Sequence, residues 1–154
     1  MAVAKRLVLC LLMVAASMTL PSNASADTEI GSPVREGRIS SLFGMREDPF
    51  EGEQRFHAGI DIAAPVGTLV RPVAAGRVIF SGSYQGFGRI VAIQHGKHMS
   101  SLYAHFDELR VAVGQLVHRG TVLGVVGGSG RATGPHLHFE VRVAGVPVDP
   151  SWVF

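Results

Sequence analysis

Two histidines separated by one residue open a strand-like run near the end of the chain. His136 and His138 alternate with the apolar residues Leu137 and Phe139. Side chains two positions apart in a β-strand point to the same face, with about 6–7 Å between their backbone positions. Imidazole is the commonest metal ligand in proteins and also exchanges protons near neutral pH. The spacing therefore favours a pair in which one ring binds a metal ion and the other contacts a water molecule beside it.

A histidine and an aspartate four residues apart form a second candidate. In an extended strand the side chains of His57 and Asp61 would lie about 13 Å apart, too far to share one ion at bond lengths of about 2.0–2.2 Å. The chain must bend between them, and Gly59 is the residue that permits a bend. A helix would also bring positions i and i+4 together, but Gly59, its β-branched neighbours and Pro65 disfavour one.

A further histidine, His105, follows an alternating run and is predicted at a strand end, where taken alone a hydrogen-bonded core or edge histidine is the favoured interpretation. Two histidines and one carboxylate leave a fourth position open on a metal ion, which is the pattern of catalytic zinc sites, and the same donors also suit other divalent ions. The remaining two histidines could carry protons or stabilise an oxyanion. His95, His98 and His118 lack this context and are predicted at a hairpin tip and in a turn.

Short apolar runs separated by glycine-rich turns must position these residues. Strand candidates recur about every 8–12 residues, a pattern typical of an all-β sandwich or barrel-like sheet. The predicted strands are Arg77–Ser81, Arg89–Gln94, Ser100–Ala104, Thr121–Val126 and His136–Val143. No long helical period follows residue 26, and the segment 108–113 is compatible with either a short helix or a loop.

The first 26 residues have the organisation of a secretory signal peptide. A basic start precedes an apolar run of 14 residues, Leu7–Leu20, and small residues occupy the positions that a signal peptidase reads. A membrane anchor is the alternative, but this run is shorter than the about 20 residues that span a bilayer. We predict cleavage after Ala26, a flexible lead-in over residues 27–37 and one domain over residues 38–154.

Loss of this segment changes the charge and cysteine content. The 14 lysines and arginines fall to 12 without Lys5 and Arg6, which equals the 12 acidic residues. A neutral chain gives no electrostatic argument for nucleic acid or an anionic membrane as a partner. Cys10 lies in the apolar run, so the exported domain would be held by its core, or partly by a metal ion, without disulfides.

Three ordered motifs resemble the lysostaphin-type (LytM-like) zinc endopeptidases. They are FHAGIDIAAP at residues 56–65, LYAH at 102–105 and GPHLHFEVR at 134–142. The similarity extends from about Gly37 to Trp152 and so covers nearly the whole predicted domain. This resemblance implies an all-β, sandwich-like antiparallel sheet with an active-site groove across it.

The resemblance also implies a role for each candidate residue. Zinc (Zn²⁺) is bound in the family at the positions that His57, Asp61 and His138 occupy here. His105 and His136 stand where the family has the histidines that serve the catalytic water and the transition state. The implied reaction is hydrolysis of cross-links or stem peptides in peptidoglycan by metal-activated water. From the predicted signal peptide we expect export to the periplasm or the cell wall and its exterior, with no membrane contact after removal of the signal.

Two other classes of function are compatible with parts of the sequence. Relatives that have lost metal ligands bind and regulate other wall hydrolases, and a chain with intact ligands could also act through a protein regulator. Residues 111–124 resemble a hairpin of biotin or lipoate carrier domains, which need an acceptor lysine at an exposed turn. Lys97 is the only lysine after residue 26 and lacks the usual flanking residues, which disfavours a carrier.

Overall fold

A computed structural model describes residues 30–154, so the predicted signal peptide lies outside the described residues. Over this range the chain forms twelve strands and two short 3₁₀ turns. The strands are β1 Arg38–Ser41, β2 Gly44–Glu47, β3 Gln54–His57, β4 Ile60–Ala63, β5 Leu69–Val70, β6 Gly76–Tyr84, β7 Gly88–Gln94, β8 Met99–Leu109, β9 Leu116–Val117, β10 Gly124–Val126, β11 His136–Val143 and β12 Val146–Val148. The all-β prediction is confirmed. Within residues 30–154 no helix has the length and apolar character needed to cross a membrane.

Ten of these strands form one antiparallel sheet. Its main path runs β1-β4-β11-β8-β7-β6-β9, with β12 beside β11, and with β10 joining β5 to β8. Strands β2 and β3 form a separate two-stranded sheet. The neighbours β4, β11 and β8 come from three distant parts of the sequence, so the sheet brings all three resemblance motifs side by side.

One face of this sheet packs into the core. In β4 and β11 the alternating residues Ile60, Ile62, Leu137 and Phe139 are at most 1% exposed. Complete burial of one such side chain stabilises the folded state by about 1.5–3 kcal/mol. The intervening positions of both strands point to the opposite face, which is the face that carries the polar candidates.

The predicted strands are present, with four changes of boundary. Strand β11 has the predicted bounds, whereas β6, β7 and β8 extend beyond theirs. Of the predicted strand Thr121–Val126, only Gly124–Val126 is extended. Thr121 instead belongs to a turn, in which its backbone N–H donates to the carbonyl oxygen of His118 at 2.8 Å. His105 lies inside β8, so its prediction at a strand end was wrong. Strand β8 ends at Leu109 and no helix follows over residues 110–113.

Part of the predicted lead-in packs against the domain. Val34 is 3% exposed and belongs to the core cluster. The backbone N–H of Arg71 donates to the carbonyl of Pro33 over 2.9 Å. The packing of the domain therefore includes residues that precede the predicted boundary at residue 38.

Candidate functional site

Asp61 and His138 become neighbours through strand pairing. They lie directly opposite each other in the antiparallel ladder between β4 and β11, where side chains of paired residues share a face and lie about 4.5–5.5 Å apart at Cβ. His57 is the last residue of β3, which belongs to the two-stranded sheet. A two-residue bend then carries the chain from β3 into β4. The site thus lies where the two sheets meet.

Gly59 occupies this bend, as the sequence predicted, but for a different physical reason. A Cβ at this position would collide with the carbonyl oxygen of Phe139 and lie 2.9 Å from Cγ of Glu140. Its φ angle is not in the left-handed region. Glycine is therefore needed because the bend passes close to β11, and that close approach keeps His57 near His138.

Three donor atoms meet at this point and define what we call the metal cluster: His57, Asp61 and His138. The Nε2 atom of His57 lies 3.1 Å from Oδ1 of Asp61 and 3.1 Å from Nδ1 of His138. Nδ1 of His138 lies 2.9 Å from the same carboxylate oxygen. His57 and His138 are 7% and 6% exposed. The structure thus brings together the three residues that the resemblance assigned to zinc.

The outer nitrogens of both rings show which way the lone pairs point. Nδ1 of His57 lies 2.7 Å from the carbonyl oxygen of Leu42, which can only accept. Nε2 of His138 lies 3.0 Å from a carboxylate oxygen of Glu140. With the protons on these outer atoms, both inner nitrogens turn lone pairs towards Asp61. Three acceptors then converge, an arrangement that a cation between them would stabilise.

The pKa shifts of Asp61 and His138 both favour positive charge at this point. Burial alone would raise the pKa of Asp61, but the hydrogen bonds that His138 and His57 donate when protonated outweigh it and hold the pKa below its ordinary value. Burial likewise opposes the charged form of His138, yet Asp61 and Glu140 raise its pKa. Both pKa directions reflect the acceptor atoms gathered at this point, for which a bound metal ion would compete with a proton.

The donor set fits a tetrahedral divalent ion such as zinc. Ligand atoms bound at about 2.0–2.2 Å in a tetrahedron lie about 3.4 Å apart, only a few tenths of an ångström more than the separations in the cluster. Two imidazoles and one carboxylate leave the fourth position to water or substrate, as in catalytic zinc sites.

His105 and His136 lie together beside the metal cluster. Their ring centroids are 4.7 Å apart, and Nε2 of His136 lies 3.7 Å from Oδ1 of Asp61. Each ring donates Nδ1–H to a backbone carbonyl, that of Ser129 for His105 and that of Gly134 for His136. Both Nε2 atoms are therefore acceptors. Burial lowers the pKa of His105 to about 4, so this ring is neutral at physiological pH.

His105 has an unusual backbone conformation. Its φ of 66° lies in the left-handed region, which non-glycine residues seldom adopt. The pairing of β8 with both β7 and β10 shifts register around this position. The irregularity breaks the alternation of β8 and accompanies the placement of the His105 ring beside His136. Such strain persists where the surrounding structure enforces it and is concentrated at functional sites.

A cleft of about 410 Å³ lies over the five residues. On one wall, a guanidinium nitrogen of Arg46 lies 3.4 Å from Oδ2 of Asp61, the carboxylate oxygen that faces away from the imidazoles. On another, Phe87 packs 5.5 Å from the ring of His138. Arg131 also lines the cleft, with contacts to the carboxylates of Asp48 and Glu51 at 3.0 and 2.7 Å.

The other histidines are not part of this cleft. His98 is exposed, and His118 accepts a bond from Gly120 within its own turn. His95 is half-buried at the end of β7 and contacts Ser101. Tyr103 is fully buried, so it is a packing residue, and burial raises its pKa to about 12.

Sequence reasoning missed two charged residues at the site. Arg46 comes from β2, and no local pattern relates it to Asp61. Glu140 is fully buried behind His138. The period of two that placed His136 and His138 on one face also extends to Glu140, so a signal for this residue was present.

Comparison with known proteins identifies the family. The pattern described as Peptidase family M23 matches residues 55–150, a range that includes the metal cluster, His105 and His136. The chain belongs to peptidase family M23. The predicted resemblance to lysostaphin-type peptidases is thereby confirmed.

Curated relatives of this M23 chain are longer proteins. It is 48% identical over 118 residues to "DD-carboxypeptidase/endopeptidase Mpg" of Neisseria meningitidis serogroup B, covering 77% of this chain and 27% of the relative. It is 40% identical over 113 residues to "Peptidoglycan DD-endopeptidase ShyB" of Vibrio cholerae, covering 73% and 26%. The chain thus spans about a quarter of the length of these relatives.

Solved structures support the fold assignment. A zinc-containing peptidase from Vibrio cholerae superposes with a TM-score of 0.74 at 37% identity, covering 80% of this chain and 39% of that one. The catalytic domain of the antimicrobial peptidase lysostaphin from Staphylococcus simulans has a TM-score of 0.68 at 26% identity, covering 75% and 90%. This M23 chain therefore has the fold of a lysostaphin-type catalytic domain.

Proposed function

We propose that this M23 chain is a zinc-dependent endopeptidase that hydrolyses peptide bonds in peptidoglycan. The observation that carries the proposal is the convergence of three lone-pair donors, with two acceptor histidines beside them in one cleft. Its M23 relatives supply the substrate class, because two of them are named as peptidoglycan DD-endopeptidase and DD-carboxypeptidase/endopeptidase.

We assign His57, Asp61 and His138 as the zinc ligands. The identity of the ion is supported by the donor set and by the zinc-containing peptidase from Vibrio cholerae to which this chain is similar. A bound zinc ion supplies Lewis-acid chemistry, which polarises a carbonyl group and lowers the pKa of water to about 7. Arg46 holds the second oxygen of Asp61, so that a single oxygen faces the two imidazoles.

His136 and His105 perform the proton transfers in this proposal. His136 keeps its proton on Nδ1 through Gly134, so Nε2 accepts a proton from the attacking water. His105 is fixed in the same way by Ser129. Once protonated, His105 stabilises the developing oxyanion. One of the two histidines then donates its proton to the leaving amine. Positioned proton transfer of this kind contributes about 10²–10⁴-fold to a rate.

The cellular setting follows from the substrate and from the sequence of the first 26 residues. We propose export through this predicted signal peptide, a lead-in over residues 27–37 and catalysis by residues 38–154 in the periplasm or the cell wall. The substrates are cross-links or stem peptides, and a protein regulator is a further proposed partner. The alternative, a non-hydrolytic M23 regulator of other wall hydrolases, is less favoured because all three ligand residues are present.

The test is digestion of purified peptidoglycan by the full chain, with new peptide ends identified by mass spectrometry. We expect release of peptides that stops with a zinc chelator and resumes when zinc is restored. His136→Ala should abolish release, whereas His98→Ala, a change at an exposed histidine outside the cleft, should not. A zinc-loaded wild-type chain that releases no peptide would instead indicate the regulator, and release from fully zinc-stripped protein would contradict a metallopeptidase.

A further inference from the structure

A buried carboxylate behind the metal cluster has no part in the chemistry described so far. Glu140 lies on β11 two residues after His138 and is 0% exposed. Burial of an unpaired carboxylate costs several kcal/mol, so such a group is found paired and hydrogen-bonded. The contacts of the two carboxylate oxygens therefore indicate the role of Glu140.

The two oxygens of Glu140 face different partners. Oε1 lies 3.0 Å from Nε2 of His138. Oε2 accepts from Nε of Arg142 at 2.8 Å and lies 2.7 Å from its Nη2. Residues 138, 140 and 142 share one face of the strand because the side-chain period is two. A line of contacts thus runs along β11 from the metal cluster to a partly exposed arginine.

We infer that Glu140 is a positioning residue of the metal centre and that Arg142 acts through it. This inference rests on the zinc site of the proposed function. The carboxylate holds the proton of His138 on Nε2, so Nδ1 presents its lone pair to the ion, and it fixes the angle of the ring. Arg142 occupies the second oxygen, which keeps the carboxylate from turning away from His138.

The two metal-cluster histidines differ in the group that accepts their outer N–H, and this difference indicates how Glu140 contributes to zinc affinity. His57 donates to the neutral backbone carbonyl of Leu42, whereas His138 donates to a charged group. Hydrogen bonds to an ionised partner are about twice as strong as those between neutral groups. His138 is consequently the more firmly held imidazole, and loss of the charge on Glu140 should weaken zinc binding through this ring.

A second glutamate–arginine pair provides a matched control. Glu108 and Arg110 have the same spacing of two residues, with Nε and Oε1 3.0 Å apart. This pair is exposed and lies outside the cleft, and among the hydrogen bonds of residues 30–154 its glutamate makes none to a metal-cluster residue. A purely structural ion pair would behave as this one does.

The experiment measures zinc affinity of the full chain by competition with a chelator, in the absence of peptidoglycan. Glu140→Gln should lower the affinity by about 10–100-fold, the usual effect of removing a partner of a metal-bound histidine. Arg142→Gln should lower it less, because Glu140 retains its bond to His138. Glu108→Gln should leave it unchanged. A folded Glu140→Gln chain that binds zinc within twofold of the wild type would overturn the inference.

A second measurement uses the unaltered chain and covers the case in which Glu140→Gln does not fold. Nitrogen NMR of the zinc-loaded wild type should show the His138 proton on Nε2 and the metal on Nδ1. A proton on Nδ1, or wild-type affinity in Arg142→Gln, would contradict the inference. Because no substrate is present, these results are independent of whether the chain cuts peptidoglycan.

Discussion

Two groups of polar side chains contain histidine, and they meet their hydrogen-bonding needs in opposite ways. In the metal cluster, the lone pairs of His57 and His138 and the carboxylate of Asp61 point at one another. The second group, which we call the His95 network, consists of His95, Ser101 and Tyr103 on β8 and at the end of β7. There, Oγ of Ser101 lies 2.7 Å from Nε2 of His95 and 2.9 Å from the Tyr103 hydroxyl.

Every polar atom of the His95 network has a partner within the protein. Nδ1 of His95 donates to the carbonyl of Ala75 at 2.8 Å, and the Tyr103 hydroxyl accepts from the backbone N–H of Val73 at 3.0 Å. Donors and acceptors alternate, so this group needs no ion. In the metal cluster, by contrast, the three atoms that face one another are all hydrogen-bond acceptors. The comparison teaches that the direction of the lone pairs, rather than burial of a histidine, distinguishes a metal centre from a structural network.

The largest expected effect is on the metal cluster. Asp61→Asn replaces the carboxylate by a neutral amide, so the cluster loses the negative charge that balances the ion. We expect zinc binding and peptidoglycan hydrolysis to fall to the background level, measured by metal content after dialysis and by peptide release. Retention of one zinc per chain in this variant would remove Asp61 from the ligand set.

The next effect separates catalysis from metal binding within the cleft. His136→Gln and His105→Gln should retain zinc, because neither ring belongs to the three converging donors. We expect the turnover number to fall by about 10²–10⁴-fold, the contribution of a positioned proton carrier. Metal content and turnover measured on the same preparations test this. Zinc loss in either variant would assign that residue to the metal instead.

A smaller effect is expected in the His95 network and concerns stability. Ser101→Ala leaves Nε2 of His95 without its partner, and a buried unsatisfied group costs about 1–3 kcal/mol. We expect the free energy of unfolding in urea to fall by this amount, with zinc affinity and hydrolysis of the folded protein unchanged. A loss of zinc would show that the two groups are coupled and would break the comparison.

The smallest effect is a pH dependence of stability. Burial lowers the pKa of His95 below its ordinary value of 6.5. As the pH falls below about 6.5, the unfolded chain takes up a proton at this position before the folded chain does, so stability decreases. Relative to His95→Gln, which cannot titrate, the wild type should lose stability between pH 7 and 5. Urea unfolding curves at several pH values measure this, and a difference independent of pH would contradict it.

The strand-borne part of the site could be predicted from the sequence because its geometry is local. A period of two places His136 and His138 on one face and Leu137 and Phe139 in the core, and the burial of these residues agrees. The glycine-punctuated pattern likewise indicated an all-β sandwich or barrel-like sheet. The same period reaches Glu140, whose contact with His138 follows from that rule once the burial of the face is known.

The remaining geometry depends on contacts between distant segments. The position of His57 relative to Asp61 is set by a bend between two sheets and by the close passage of Gly59 over β11. The left-handed conformation of His105 coincides with register shifts against two neighbouring strands, and Arg46 reaches Asp61 from a separate hairpin. Local sequence patterns carry no information about these pairings.

The most direct measurement is anomalous X-ray diffraction at the zinc edge from crystals of the zinc-loaded chain. We expect one zinc ion within about 2.0–2.2 Å of Nε2 of His57, Oδ1 of Asp61 and Nδ1 of His138, and none at the His95 network. A zinc ion bound elsewhere, or bonded through Nε2 of His138, would contradict the convergence of lone pairs from which the function was inferred.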